Sequence, residues 1–123
     1  MKKILIIDDS PMQLKLAGIY LAKEDFVIIN AESGKEGFEK AEKEKPDLII
    51  LDVEMPDMDG IQTLKMLKSY PTTSGIDVLM CSSVKKEEVI NEAMSLGARG
   101  YINKPHGFRN FNANIKGILS EVQ

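Results

Sequence analysis

Five short apolar runs recur along this chain at regular intervals, and no other feature restricts its fold as much. They are Ile4 to Ile7, Phe26 to Ile29, Leu48 to Leu51, Ile76 to Cys81 (broken by Asp77) and Tyr101 to Ile102. Most are β-branched or aliphatic and lack polar alternation, as expected of parallel strands buried on both faces. The segments between them are long enough for helices. Ser10-Pro11 offers an N-cap and a proline at the first helical position; Met12, Leu16, Ile19 and Tyr20 then mark the first helix by their spacing. Ser33 opens the second, with Gly34, Gly37, Phe38 and Ala41 as its inner stripe beneath a charged outer face. Ile61, Leu64 and Leu67 mark the third helix, and Val89, Ile90, Ala93 and Met94 the fourth. Phe108, Phe111, Ile115, Ile118, Leu119 and Val122 mark the last.

Strand then helix, repeated, predicts an α/β domain with an open parallel sheet covered by helices on both faces. Right-handed crossovers narrow the topologies. The choice is a flavodoxin-like, doubly wound, five-stranded sheet of order 2-1-3-4-5 with five helices. No linker rich in Pro, Gly or Ser divides the chain, so residues 1–123 read as a single domain. That length buries enough apolar surface to fold without disulfides or a structural metal. Sixteen basic against nineteen acidic residues leave a mild negative charge, not the basic stripe of a nucleic-acid binder. Lys2 and Lys3 precede only four consecutive apolar residues, too few for a signal peptide. No apolar stretch approaches the ~20 residues that span a bilayer. A soluble, cytoplasmic protein is expected. Cys81 has no cysteine partner and reads as a buried structural thiol.

In open parallel sheets, ligands bind beyond the carboxyl ends of the strands. Asp8 and Asp9 stand there after the first run, Asp52 after the third, Ser82 and Ser83 after the fourth, and Lys104 after the fifth. Three carboxylates at adjacent strand ends repel one another unless a cation sits among them. Oxygen ligands in that number suit a hard ion such as Mg²⁺, which takes one or two protein carboxylates plus waters and a phosphate oxygen. Lys104 adds a positive charge and Ser82 a hydroxyl donor. Together they make a site for an anion that the carboxylates alone would reject. A phosphoryl group carried by one carboxylate fits, because its transfer needs mainly positioning and charge neutralisation and Asp is a covalent acceptor.

Four segments carry a resemblance. Ile6-Ile7-Asp8-Asp9-Ser10, Leu51-Asp52-Val53-Glu54-Met55-Pro56-Asp57-Met58-Asp59-Gly60, Val78-Leu79-Met80-Cys81-Ser82-Ser83 and Gly97-Ala98-Arg99-Gly100-Tyr101-Ile102-Asn103-Lys104-Pro105 stand in order at the right spacing. The chain resembles, over nearly its whole length, the response-regulator receiver domain of bacterial two-component systems. The resemblance implies that Asp8 and Asp9 hold Mg²⁺ (or Mn²⁺), Asp9 more directly. Asp52 is then phosphoacceptor and ligand, and Glu54 contributes its backbone carbonyl. It further implies that Ser82 is the switch hydroxyl, that Lys104 pairs with the phosphoryl group, and that Tyr101 turns inward on activation. Pro105 would follow a cis peptide bond that keeps Lys104 aimed at the site. The implied donor is a sensor histidine kinase or phosphotransfer protein, and the implied output is contact with a downstream protein target. Neither direct nucleic-acid binding nor a membrane is called for.

Several residues admit other readings. Ser83 stands where the family more often has alanine, but spacing to Lys104 favours Ser82 as the switch. Glu54 and Val84 occupy positions that in the family influence how fast water removes the phosphoryl group. Asp57-Met58-Asp59-Gly60 invites a calcium-loop reading, yet no register supplies both the glycine and the distal glutamate that such a loop requires; a helix-entry turn fits better. His106, the only histidine, has no partner motif and reads as an exposed loop residue. The seven methionines read as gap-fillers. Without the resemblance, Tyr101 would be ordinary packing. A phosphatase working through an aspartyl-phosphate is the rival enzyme, but it needs a second Asp two residues after the nucleophile, where Glu54 stands. A flavin carrier of similar topology would want a hydroxyl-rich phosphate loop in place of Asp8-Asp9, and a degenerate receiver would lack one of the required groups. The chain is expected to catalyse only its own phosphorylation and dephosphorylation. Output is expected through another protein, unless this chain is a fragment of a larger regulator.

Overall fold

A computed structural model of the chain describes residues 2–21, 26–55, 59–82 and 86–103. In chain order the elements are β1 (Lys2–Ile7), α1 (Pro11–Leu21), β2 (Phe26–Ala31), α2 (Gly34–Glu44), β3 (Leu48–Asp52), α3 (Gly60–Ser69), β4 (Asp77–Ser82), α4 (Glu87–Ser95) and β5 (Gly100–Asn103). The strands form one sheet of order β2-β1-β3-β4-β5, parallel throughout, which is the topology expected from the sequence. Four helices lie among the described residues; the helix predicted around Phe108 to Val122 lies outside them.

The continuous apolar runs have the cause inferred for them. Successive strand residues point to opposite faces, and both faces are covered. Leu5, Ile7, Ile49, Leu51, Val78 and Met80 pack with Ala41 of α2, Leu64 and Leu67 of α3, and Ala93 of α4. Their neighbours Ile4, Ile6, Leu48, Ile50, Leu79 and Cys81 pack on the other side with Leu14, Ala17 and Leu21 of α1. Cys81 is buried and forms no disulfide, as its sequence context predicts. Truncating a fully buried side chain such as Leu64 to alanine costs ~2–5 kcal/mol. The edge strand β2 differs: only Ala31 is buried along it.

Local signals set the helices. Ser33 caps α2 by accepting the Glu36 N–H at 3.1 Å, and its predicted stripe holds, with Gly34, Gly37 and Ala41 buried. Phe38 is half-buried and meets the Tyr70 ring edge-on at 4.9 Å. Helix α2 stops at Lys45, whose left-handed φ of 51° lets its N–H bond the Ala41 carbonyl at 3.1 Å before Pro46. At the start of α3, Asp59 accepts the Gln62 N–H while the Gln62 side chain accepts the Asp59 N–H, a reciprocal capping box. Ile61, Leu64 and Leu67 are buried as their spacing predicts.

Two helices form where their spacing places them, and the structure shows which face each buries. In α1, Met12, Leu16 and Ile19 are 70%, 36% and 55% exposed, while Leu14, Ala17 and Leu21 face the core. Helix α1 is apolar on nearly all sides, so periodicity identifies the helix without choosing its face. In α4, Ala93 is the one buried residue, Val89 and Ile90 are half-buried, and Met94 faces outward. Strand limits shift. Asp52 is the last residue of β3 rather than the first beyond it, and Asp77 opens β4 rather than interrupting it.

Candidate functional site

Strands β1 and β3 are neighbours, with Ile7 in register with Leu51. The next residues along each strand, Asp8 and Asp52, therefore come out side by side at the carboxyl edge of the sheet. One carboxylate oxygen from each of Asp8, Asp9 and Asp52 lies within 4.8 Å of the other two. Asp8 and Asp52 are buried, at 5% and 7% exposure, whereas Asp9 faces solvent. Asp8 is held at both ends. Its N–H donates to the Ala31 carbonyl at 3.0 Å, prolonging the β1–β2 ladder, and its Oδ1 accepts the Ser10 N–H at 3.0 Å. That turn delivers the chain into α1, where Ser10 Oγ accepts the Gln13 N–H at 3.3 Å.

Like charges gathered in a partly desolvated site raise its energy unless a cation joins them. The residues present suit a hard ion. Mg²⁺ bonds oxygen at ~2.1 Å, so opposed ligands around it stand ~4.2 Å apart. Adjacent ligands on the same ion stand only ~3 Å apart, so the three carboxylates, now within 4.8 Å of one another, would have to draw together to share one ion. Oxygen-only donors exclude the softer metals that prefer thiolate or imidazole. Glu54 is exposed two residues past Asp52. With Met55, Lys65, Val89 and, of the acidic trio, Asp9, it lines an open cleft of about 780 Å³.

The remaining predicted residues divide between described and undescribed parts of the chain. Asp52 pairs in register with Cys81 of β4, so Ser82, the next residue, reaches the same edge. Ser82 in turn pairs with Asn103 of β5, which places the end of β5 at that edge immediately before Lys104. Tyr101, opposite Met80 in β5, is half-buried and packs against the core on the α2–α3–α4 side. Lys104, Pro105, Ser83, Val84 and His106 lie outside the described residues. The calcium-loop alternative loses a ligand, because the Asp59 carboxylate is committed to the first turn of α3. Sequence reasoning assigns Asp8 to the metal alone and misses its grip on Ser10. An aspartate two residues before a helix cap is the signal that finds it. Among the described residues no helix is long and apolar enough to cross a membrane.

Comparison with known proteins adds to this geometry. The family model for the response regulator receiver domain matches residues 4–116. The alkaline phosphatase synthesis transcriptional regulatory protein PhoP of Bacillus subtilis is 38% identical over 118 residues, covering 96% of this chain. The chain spans only 48% of that relative's length. The chemotaxis protein CheY of Halobacterium salinarum is 36% identical over 104 residues, covering 85% of each chain. Among solved structures, a chain in the CheX–CheY–BeF3–Mg²⁺ complex from Borrelia burgdorferi superposes with a TM-score of 0.87. It is 28% identical, and the alignment covers 95% of this chain and 88% of that one.

Proposed function

Because the chain belongs to the response regulator receiver domain family, we propose that it is a phosphorylation-dependent signalling switch whose phosphoacceptor is Asp52. One observation carries this reading: Asp52 is buried at the end of β3 with its carboxylate gathered against those of Asp8 and Asp9. A carboxylate oxygen of Asp52 attacks the phosphorus of a phosphohistidine on a sensor histidine kinase or phosphotransfer protein. The P–O bond forms as the P–N bond breaks, and the departing imidazole nitrogen keeps the electron pair. Mg²⁺ (or Mn²⁺), held by Asp8, Asp9, Asp52 and the Glu54 carbonyl, supplies the charge neutralisation that the transferring oxygens require. Asp8, locked by the Ser10 N–H, orients the trio, and exposed Asp9 remains open to solvent. Lys104 pairs with the bound phosphoryl group.

The phosphoryl group brings about −1.5 to −2 charges. Ser82 donates its hydroxyl to it, and Tyr101 turns into the space vacated, remodelling the face of α4 and β5. Such a change biases states already present in the ensemble. Output passes through a downstream protein target, without direct nucleic-acid or membrane binding, in the cytoplasm. The chain performs no chemistry beyond its own phosphorylation and dephosphorylation. The relative crystallised with CheX, BeF3 and Mg²⁺ supports both a protein target and a cation. The twofold greater length of PhoP favours a second reading of output, in which this chain is the receiver part of a larger regulator. Incubation with a small-molecule phosphodonor and Mg²⁺ is expected to add one phosphoryl mass, and Asp52→Ala to abolish that gain. A gain surviving in Asp52→Ala would falsify the assignment.

A further inference from the structure

Gly60, the first residue of α3, sits against the backbone of the phosphoacceptor. A Cβ built there would overlap the Asp52 carbonyl oxygen and fall 2.6 Å from Val53 Cα and 2.9 Å from the Asp52 carbonyl carbon. These are main-chain atoms, so no rotamer change relieves the crowding. The Gly60 N–H also donates to the Val53 carbonyl at 2.8 Å. Its φ is not left-handed, so space is what requires glycine there, and not backbone freedom. Alanine would otherwise strengthen the helix.

We propose that Gly60 is a positioning residue for the proposed phosphorylation reaction: the start of α3 fixes the Asp52–Val53 peptide by close contact and the Val53 carbonyl that follows it by the Gly60 N–H, and with both the Asp52 carboxylate. The β3–β4 ladder, with Asp52 opposite Cys81, holds that peptide laterally. Gly60 closes the remaining side. The capping box of Asp59 and Gln62 and the Thr63 Oγ1 bond to the Asp59 carbonyl at 3.0 Å make the first turn of α3 a firm support. The carboxylate carbon is only two bonds, Cα–Cβ and Cβ–Cγ, from the supported backbone, so a sideways push on the backbone moves it relative to Asp8 and Asp9. A metal with strict octahedral geometry at ~2.1 Å tolerates little such movement.

This proposal rests on Asp52 being the acceptor, so the test separates the two. Gly60→Ala is compared with the parent chain and with Leu67→Val, a buried α3 substitution far from Asp52 that lowers stability without crowding it. Two readouts are followed at a temperature where all three are folded: the phosphorylation rate with a small-molecule donor, and the Asp52 carboxyl ¹³C resonance without metal. Gly60→Ala is expected to shift that resonance and to slow phosphorylation on the order of tenfold, since ~1 Å of misplacement costs up to ~10²-fold. Leu67→Val is expected to do neither. A parental resonance and rate in folded Gly60→Ala overturn the proposal. A parent that gains no phosphoryl mass overturns the functional reading, and the resonance still decides the role of Gly60. Where alanine blocks folding, glycolic acid at position 60 removes the N–H bond to Val53 without adding bulk. An unshifted Asp52 resonance in that variant also overturns the proposal.

Discussion

At the amino end of the sheet, Lys3 and Asp47 hold each other closely. The Lys3 N–H donates to the Asp47 carboxylate at 2.8 Å and the Asp47 N–H to the Lys3 carbonyl at 2.9 Å. The Lys3 ammonium reaches the Glu44 carbonyl at 3.1 Å and its carboxylate at 3.6 Å. Arg99 faces Asp77 at 3.8 Å, and Lys68 donates to the carbonyls of Ile76 and Ser74 at 2.8 and 3.2 Å. Burial holds the Lys68 ammonium below its ordinary range, against the opposing pull of Asp77. The carboxyl end does the reverse and gathers Asp8, Asp9 and Asp52 within 4.8 Å. Opposite charges and donors are matched where the fold is tied together; like charges are collected where chemistry is proposed. Stability is given up locally at a functional edge and recovered elsewhere.

The contrast can be broken from either end. Asp47→Ala removes a charged acceptor from a half-buried backbone N–H and is expected to cost ~1–2 kcal/mol, leaving phosphorylation at its parental rate. Denaturant titration checks the first and mass spectrometry the second; a stability unchanged by Asp47→Ala would remove the amino end's special standing. Asp9→Ala is expected to act with the opposite sign, raising the metal-free melting temperature. In the parent, a weakly bound cation held only by the folded state adds on the order of 1 kcal/mol at millimolar Mg²⁺, and Asp9→Ala should lose most of that gain. Equal Mg²⁺-dependent melting shifts in both proteins would take Asp9 out of the metal site.

Glu36 gives the smallest effect and the sharpest control, because it stands at the same end as the trio but away from it. The Glu32 N–H donated to it at 2.7 Å holds its carboxyl below the ordinary range, opposed by burial and aided by the Lys40 ammonium at 3.3 Å. A depressed folded-state value means stability that is present at neutral pH and lost as pH falls through that value. On an exposed helix surface the pair contributes only ~0.2–0.5 kcal/mol. Glu36→Gln is therefore expected to melt slightly below the parent at neutral pH and to match it in strong acid. A difference that persists in acid would mean packing, not charge, is at work.

Legibility in the sequence follows the same division. The sheet order and the acidic edge were readable because doubly buried strands are written as unbroken apolar runs and because the residues ending them are charged. Helix α1 shows the limit: Met12 and Ile19 are as apolar as Leu14 and Leu21, so the choice of face belongs to the tertiary packing. Gly60 shows another. In sequence it completes a helix-entry turn, and only the approach of α3 to the Asp52 carbonyl reveals why a side chain is not accommodated there. Lys68 reads as one more charged residue on α3, although its ammonium ties the approach to β4.

The sheet order also bears on how the chain is made. β1 ends up inside the sheet, with β2 on one side of it and β3, β4 and β5 added outward on the other. Joining Ile4 to Leu48 closes a long loop, whose entropic cost rises only slowly with length but delays pairing, as non-local contacts do generally. With synthesis running from the amino terminus, Asp8, Asp9 and Asp52 have all emerged while the residues of β4 and β5 are still to come. Any β1–β3 pairing formed at that stage would bring the three carboxylates together with three strands, and not five, to hold them.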